Sequence, residues 1–293
     1  MKIPPKIKFV LVNTGILIAG ILAIIIVQFF IEAIFAFLKP FVLSPFESSV
    51  PFLLTKSILM ALAAATTYYF FVKYLERREP AELSFPYLVK ETAAGTALGF
   101  LMITTVVIIL YLFDYLRFGE INNFSEIYNG LRIAILSGVV EEILFRGLVF
   151  RLIQKMFGTW IALIISSLLF GFSHLANPNA TLWSSTAISI EAGLLLGSVY
   201  ILTNRLWIPI GLHFGWNLTQ GGIFNIPVSG HDVGGIIQVR LIGNPFFSGG
   251  SFGLENSAIA VILCTVVAGV ILMRAVKAEK IIKPFDEYKR LTA

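Results

Sequence analysis

"FVLVNTGILIAGILAIIIVQFFI", residues 9–31, contains no charged side chain. A helix needs about 20 apolar residues to cross the hydrocarbon of a bilayer, whereas the core of a signal peptide is only about 7–15 long. At 23 residues the stretch reads as a retained first span rather than a cleaved leader. The whole chain agrees with it. Of 293 residues 57% are apolar and 13% charged, and the mean hydropathy is +0.86, against about 25% charged in an average soluble domain. The composition predicts an all-α, polytopic membrane protein.

Eight spans are predicted, at about 9–38, 51–73, 92–113, 131–153, 158–175, 183–203, 206–223 and 257–273. Alternating the loops tests this layout. With both termini inside, the outer segments hold Lys39, Lys56, Arg117, Arg132 and Arg240, and Arg146 lies within the membrane. The other sixteen of the 22 Lys and Arg residues are cytoplasmic. The positive-inside rule then places both termini in the cytoplasm of a multi-pass cell-membrane protein. This also accounts for the net charge of +5, so no nucleic-acid partner is predicted. The single cysteine, Cys264, makes no intrachain disulfide. Segment 76–91 mixes charges with Leu, Phe and Tyr and is expected along the inner interface. The longest outer loop, 224–256, is rich in Gly and Pro. Three regions are expected: spans 1–3 over 1–130, spans 4–7 with the outer loop over 131–258, and a last span with a basic cytoplasmic tail over 259–293. With no soluble catalytic domain in view, any chemistry falls within the bilayer.

One stretch conflicts with lipid. "GVVEEILFRGLVF", residues 138–150, carries Glu141, Glu142 and Arg146, and each such charge at a helix centre costs roughly 2.5–3.5 kcal/mol on insertion scales. Residues four apart share a helix face, which pairs Glu142 with Arg146, Phe170 with His174, and His213 with Asn217. Glu141 lies about 100° round the helix from Glu142. Glu142 can therefore be compensated within its own helix, while Glu141 is free to face the bundle interior. Glu142–Arg146 alone could be a structural ion pair, and His213–Asn217 alone an interhelical hydrogen-bonding pair. Together, a carboxylate, two histidines and an asparagine suit water activation and oxyanion stabilisation, and they are also metal-ligand types. His231 is expected in a solvated outer loop, Glu191 as a supporting or interface residue, and Asp114 at the surface.

Several protease classes do not fit. No histidine is followed by glutamate, so the His-Glu-x-x-His zinc helix is absent. No aspartate lies within a predicted span, which leaves no aspartyl dyad. Ser173 and His174 are sequence neighbours that diverge by about 100° on a helix and are not expected to act as a dyad.

Glu-Glu-x-x-x-Arg (Glu141, Glu142, Arg146), Phe-x-x-x-His (Phe170, His174) and His-x-x-x-Asn (His213, Asn217) resemble, in this order, the three motifs of the CPBP family. These are the CAAX-protease and bacteriocin-processing intramembrane endopeptidases, also called Abi. The stretch "EAGLLLGSVYILTNRLWIPIGLHFGWNLTQGGIF" is similar to bacterial members. The resemblance implies an eight-helix bundle around a conical polar cavity open to the membrane, acting on a membrane-associated peptide or protein. It implies that Glu141 activates the attacking water with His174 assisting, and that His213 and Asn217 steady the oxyanion. Glu142 and Arg146 would be the supporting ion pair. No cofactor is favoured; a divalent metal such as zinc, held by Glu141, His174 and His213, is the alternative. A non-proteolytic transporter, scaffold or immunity protein using the same cavity is the rival function.

Overall fold

The computed structural model describes residues 3–43 and 50–292; Lys2 and Ala293, which belong to the two predicted cytoplasmic termini, lie outside them. Eight long helical segments follow one another: α1 (Pro5–Leu38), α2 (Val50–Phe70), α3 (Leu88–Leu112), α4 (Ile127–Glu142), α5 (Thr159–Ser173), α6 (Leu182–Ile188), α7 (Trp207–Asn217) and α8 (Ala258–Lys277). Five of them continue through π-helical turns, α1 through Lys39–Leu43 and α2 through Phe71–Leu75 among them. α4 runs on through Ile143–Phe150 into Arg151–Phe157, α6 through Ser189–Leu194 into Leu195–Thr203, and α7 through Leu218–Ile223. The last three π stretches directly follow Glu142, contain Glu191 and directly follow Asn217; such insertions are frequent at functional sites.

Among the described residues, six helices are long and apolar enough to cross a membrane: α1, α2, α3, α5, α6 and α8. The two that fall short are instructive. α4 and its continuation carry Arg132, Glu141, Glu142, Arg146, Arg151 and Lys155, and α7 with its π turns covers only residues 207–223. These are the helices that bear the Glu-Glu-x-x-x-Arg and His-x-x-x-Asn residues. They are packed inside the bundle, where polar side chains meet protein rather than lipid. On α1, by contrast, Ile26 and Phe29 are 62% and 74% exposed, the burial expected of a helix facing acyl chains.

α7 is held at the centre by α3. Gly95 and Gly99 on α3 face Gly211 and Gly215 on α7, so each helix presents a small-x-x-x-small stripe to the other. A Cβ on Gly99 would lie 2.4 Å from the Leu212 carbonyl oxygen, and one on Gly215 2.3 Å from that of Thr96. The backbones therefore touch along the seam.

Two features add to the sequence reading. The fold is all-α, as expected, with one addition: a small antiparallel sheet joins β1 (Leu116–Ile121) to β2 (Ile237–Leu241) outside the helices. The alternating "IQVRL" of β2 carries the period-2 signal of a strand inside what read as a Gly- and Pro-rich loop. Segment 76–91 forms short 3₁₀ turns, Ala81–Leu83 and Phe85–Tyr87, before entering α3. Arg78 pairs there with Glu76 and the buried Glu82, Arg151 reaches Glu76, and the Tyr68 hydroxyl donates to Glu82 and lies 3.0 Å from the Gly147 carbonyl oxygen. Arg205 pairs with Glu91 and Lys155 with Glu287. Arg78, Arg151, Lys155 and Arg205, assigned to one side from the sequence, thus gather at one end of the bundle. The β1–β2 sheet ties together the loops after α3 and α7, as their shared side in the eight-span layout requires.

Candidate active site

Glu142 is the hub. It is fully buried, and its Oε1 accepts two hydrogen bonds of 2.9 Å, one from Arg146 Nη1 a turn along the same helix and one from His213 Nδ1 on α7. Gly138, one turn before Glu142, makes this reach available. A Cβ there would sit 3.1 Å from the Phe214 backbone nitrogen, so α4 and α7 close to a distance at which a glutamate side chain spans the gap. Arg146 also donates through Nη2 to the carbonyls of Ala192 (3.0 Å) and Gly193 (3.4 Å), acceptors in the π turns of α6. The ion pair read from spacing is therefore one edge of a network that joins α4, α6 and α7.

Glu141 points elsewhere, as the 100° offset requires. Its side chain is 29% exposed, and its Oε2 has no hydrogen-bond partner among the described residues and lies 3.9 Å from His174 Nε2. His174 ends α5, and its Nδ1 lies 2.8 Å from the Phe170 carbonyl oxygen. A carbonyl only accepts, so Nδ1 carries a proton, and Nε2 is the ring nitrogen that faces Glu141. Ser173 Oγ does come within 3.4 Å of His174 Nδ1, closer than the 100° divergence implied. Its own proton goes to the Phe170 carbonyl at 2.7 Å, and the nitrogen it meets is the protonated one, so the pair is not a nucleophile–base dyad.

Phe170 separates the two histidines. Its ring lies 5.0 Å from that of His174 and 6.0 Å from that of His213, with the Arg146 guanidinium 4.4 Å over its face. Asn217, a turn beyond His213, donates through Nδ2 to Ser137 Oγ at 2.7 Å. Ser137 escaped the sequence reading, although it stands four residues before Glu141 on the same face of α4. A cavity of about 420 Å³, within the range of ligand sites, is lined by Ser137, Glu141, His174, His213 and Asn217, with Phe145 and Asn177 beside them. Its remaining wall is the turn Val228–His231. His231 was expected in a solvated loop; it is exposed, but at the cavity rim, because Val228 and His231 pair through their backbones and fold the loop back over the helices. Asn177 Nδ2 fastens this turn through the Ser229 carbonyl. Neither Asn177 nor the turn carries a periodic signal that could have revealed it.

Among the described residues, no group of three His, Cys, Asp or Glu converges to hold an ion. Of the three candidates, Glu141 and His174 face each other across 3.9 Å, while His213 turns its Nδ1 away to Glu142.

Residues 123–219 match the family model described as Rce1-like, type II CAAX prenyl endopeptidase. This segment is Rce1-like. The match covers about a third of the chain and contains Glu141, Glu142, Arg146, Phe170, His174, His213 and Asn217. The similarity to type II CAAX prenyl endopeptidases is thus carried by the segment that holds all seven motif residues. No curated protein and no solved structure matches the chain. The Rce1-like segment ends two residues after Asn217, so the turn that roofs the cavity lies beyond it.

Proposed function

We propose that the chain hydrolyses a peptide bond of a membrane-associated peptide or protein with a water held between Glu141 and His174. The observation that carries this is the pairing of two acceptors, Glu141 Oε2 and His174 Nε2, 3.9 Å apart on a cavity wall. A water about 2.8 Å from each would subtend about 90° at its oxygen. It would donate one proton to each acceptor and keep its lone pairs for the substrate. On attack the water oxygen bonds to the carbonyl carbon, Glu141 takes the proton, and the carbonyl oxygen becomes the oxyanion. The C–N bond then breaks, and the proton on Glu141 passes to the leaving amine.

The oxyanion falls to His213 and Asn217. His213 Nδ1 already donates to Glu142, so Nε2 donates only when the ring carries both protons. Glu142 and Arg146 are a neutral pair; the imidazolium then leaves one net positive charge beside the developing negative oxygen. Asn217 Nδ2 has a second hydrogen beyond the one given to Ser137. No step is routed through a metal. The eight-span layout puts both termini in the cytoplasm.

The test is cleavage of quenched fluorescent peptides, with and without a farnesylated CAAX end, by the purified full chain in detergent or liposomes. Wild type should cleave, including after chelation and dialysis, and Glu141→Gln should not. Turnover at the wild-type rate in Glu141→Gln would overturn the assignment of the water. Loss on chelation that stoichiometric zinc restores would overturn the metal-free route.

A further inference from the structure

Behind the catalytic cavity lies a second, buried one of about 30 Å³, room for about two water molecules. It shares His174, His213, Asn217 and Ser229 with the first, and its other polar lining is two carboxyl groups. Glu191 comes from the π stretch of α6 and Glu255 from the 3₁₀ turn before α8. Neither belongs to the proposed mechanism.

The surroundings treat the two acids differently. Glu255 accepts hydrogen bonds from Gln220 Nε2 (2.6 Å) on Oε2, and from Ser229 N (3.1 Å) and Ser229 Oγ (3.3 Å) on Oε1. Glu191 is fully buried, and among the described residues neither of its oxygens has a hydrogen-bond partner. No Lys or Arg lines the cavity. Arg146, on the far side of Phe170, is engaged by Glu142 and the α6 carbonyls. The titratable groups facing the pair are His174 from α5, His213 from α7 and Cys264 from α8. Two ionised carboxylates that interact in one buried cavity are not sustained; one takes a proton. Donors favour the anion at Glu255, and their absence favours the acid at Glu191.

We propose that Glu191 and Glu255 share one proton across this cavity, held at neutral pH on Glu191, and that the anionic Glu255 positions the turn Val228–His231 over the catalytic cavity. The route is short. Glu255 grips Ser229 twice, and Gln220, which binds Glu255, also donates to the Pro227 carbonyl at 2.6 Å. Val228, Ser229 and His231 form the cavity wall, and Asn177, three residues after His174, holds Ser229 from the other side. Burial pushes the Glu255 carboxyl up to about 7, against the opposing pull of Gln220 and Ser229. Above that pH the anion grips the turn; as pH falls through it, the added proton removes acceptor strength and the turn is released. The effect on turnover rests on the endopeptidase reading, whereas the proton and the turn do not.

Infrared spectroscopy of the full chain in detergent tests the proton. A buried, protonated carboxyl C=O band is expected at about pH 9, where Glu255 is ionised, and should vanish in Glu191→Gln. Amide exchange tests the turn: Glu255→Gln should speed exchange of residues 227–231 at least tenfold relative to wild type at one pH. The pH profile of kcat/KM gives the functional reading. Wild type should show an acid limb near 7. Glu255→Gln should raise KM and abolish the limb, and Glu191→Gln should leave its position unchanged, because a neutral amide replaces a neutral acid. A missing band, a band that survives Glu191→Gln, unchanged exchange in Glu255→Gln, or a limb that Glu255→Gln does not remove would each overturn the proposal. A chain that cleaves no peptide yet passes the infrared and exchange tests would count against the endopeptidase reading alone.

Discussion

Replacing the two adjacent glutamates by glutamine should separate structure from chemistry. In Glu142→Gln the amide oxygen can keep both bonds that Oε1 now accepts, so the shape of the hub survives and its charge does not. Arg146, 2% exposed, is left without a counter-charge. The amide nitrogen lands where Oε2 is buried and lacks a hydrogen-bond partner among the described residues. Removing one member of a buried ion pair costs about 3–5 kcal/mol, and the retained bonds place this case near about 3 kcal/mol. That is roughly a hundredfold in the folding equilibrium. By soluble-protein scaling it lowers Tm by roughly 6–12 °C. Glu141, half-exposed and outside any hydrogen-bonded ion pair, should change stability by no more than about 0.5–1 kcal/mol as glutamine while losing turnover. The chain carries its own reporter: Cys264 is the single cysteine and is fully buried, so its labelling by a thiol-reactive dye on heating follows unfolding. Adding Arg146→Met to Glu142→Gln should recover part of the loss by removing the stranded cation. Equal melting of the two single glutamine variants would refute the assignment of Glu142 as the structural charge.

Gly215→Leu should prevent stable folding, since even a Cβ there meets the Thr96 carbonyl oxygen at 2.3 Å; the yield of monodisperse protein reads it. Ser137→Ala frees the Asn217 amide and should change kcat by no more than about tenfold, well short of the 10²–10³ cost of losing an oxyanion donor, as peptide-cleavage kinetics would show. Burial pushes the Glu76 carboxyl up, but the hydrogen bonds of Arg151 and Arg78 outweigh it and hold it below the usual range. The stability it contributes is therefore complete above about pH 4.3 and is lost as pH falls through the lower folded value. Glu76→Gln should flatten that acid limb in melting curves followed by tryptophan fluorescence. Reporter fusions after Lys289 and near Gly235 should read cytoplasmic and external, respectively; an external C-terminus refutes the eight-span layout.

What the sequence made legible was local. Spacing alone paired Glu142 with Arg146 and turned Glu141 away from them, because a helix fixes the relation of residues four apart. It could not show that His213, 71 residues further on, shares the Glu142 oxygen with Arg146, since helical periodicity says which face a residue occupies and not which helix that face meets. The same limit hid Ser137 against Asn217 and the β1–β2 pairing. The place of His231 at the cavity rim stayed hidden for a further reason: its Gly and Asp neighbours signal a turn but not the surface beneath it. Glu191 stood out as a charge within an apolar run, yet only the packing shows that no donor among the described residues reaches it.

Lipid makes charges expensive, and the three in "EEILFR" are retained under different compensations. Glu142 and Arg146 cancel each other, and the network around them joins three helices that hydropathy alone would hold loosely, since lipid tails compete with apolar side chains for every helix surface. The neutrality of that pair has a consequence for its third member. A lone carboxylate at Nδ1 would neutralise an imidazolium completely, whereas one already matched by Arg146 leaves His213 with a net positive charge when doubly protonated. Glu141 stands outside this balance, next to a histidine whose tautomer is set by the Phe170 carbonyl. The proposed reaction needs negative charge beside the water and positive charge beside the carbonyl oxygen. Two consecutive glutamates supply that polarity because a helix sends their side chains about 100° apart.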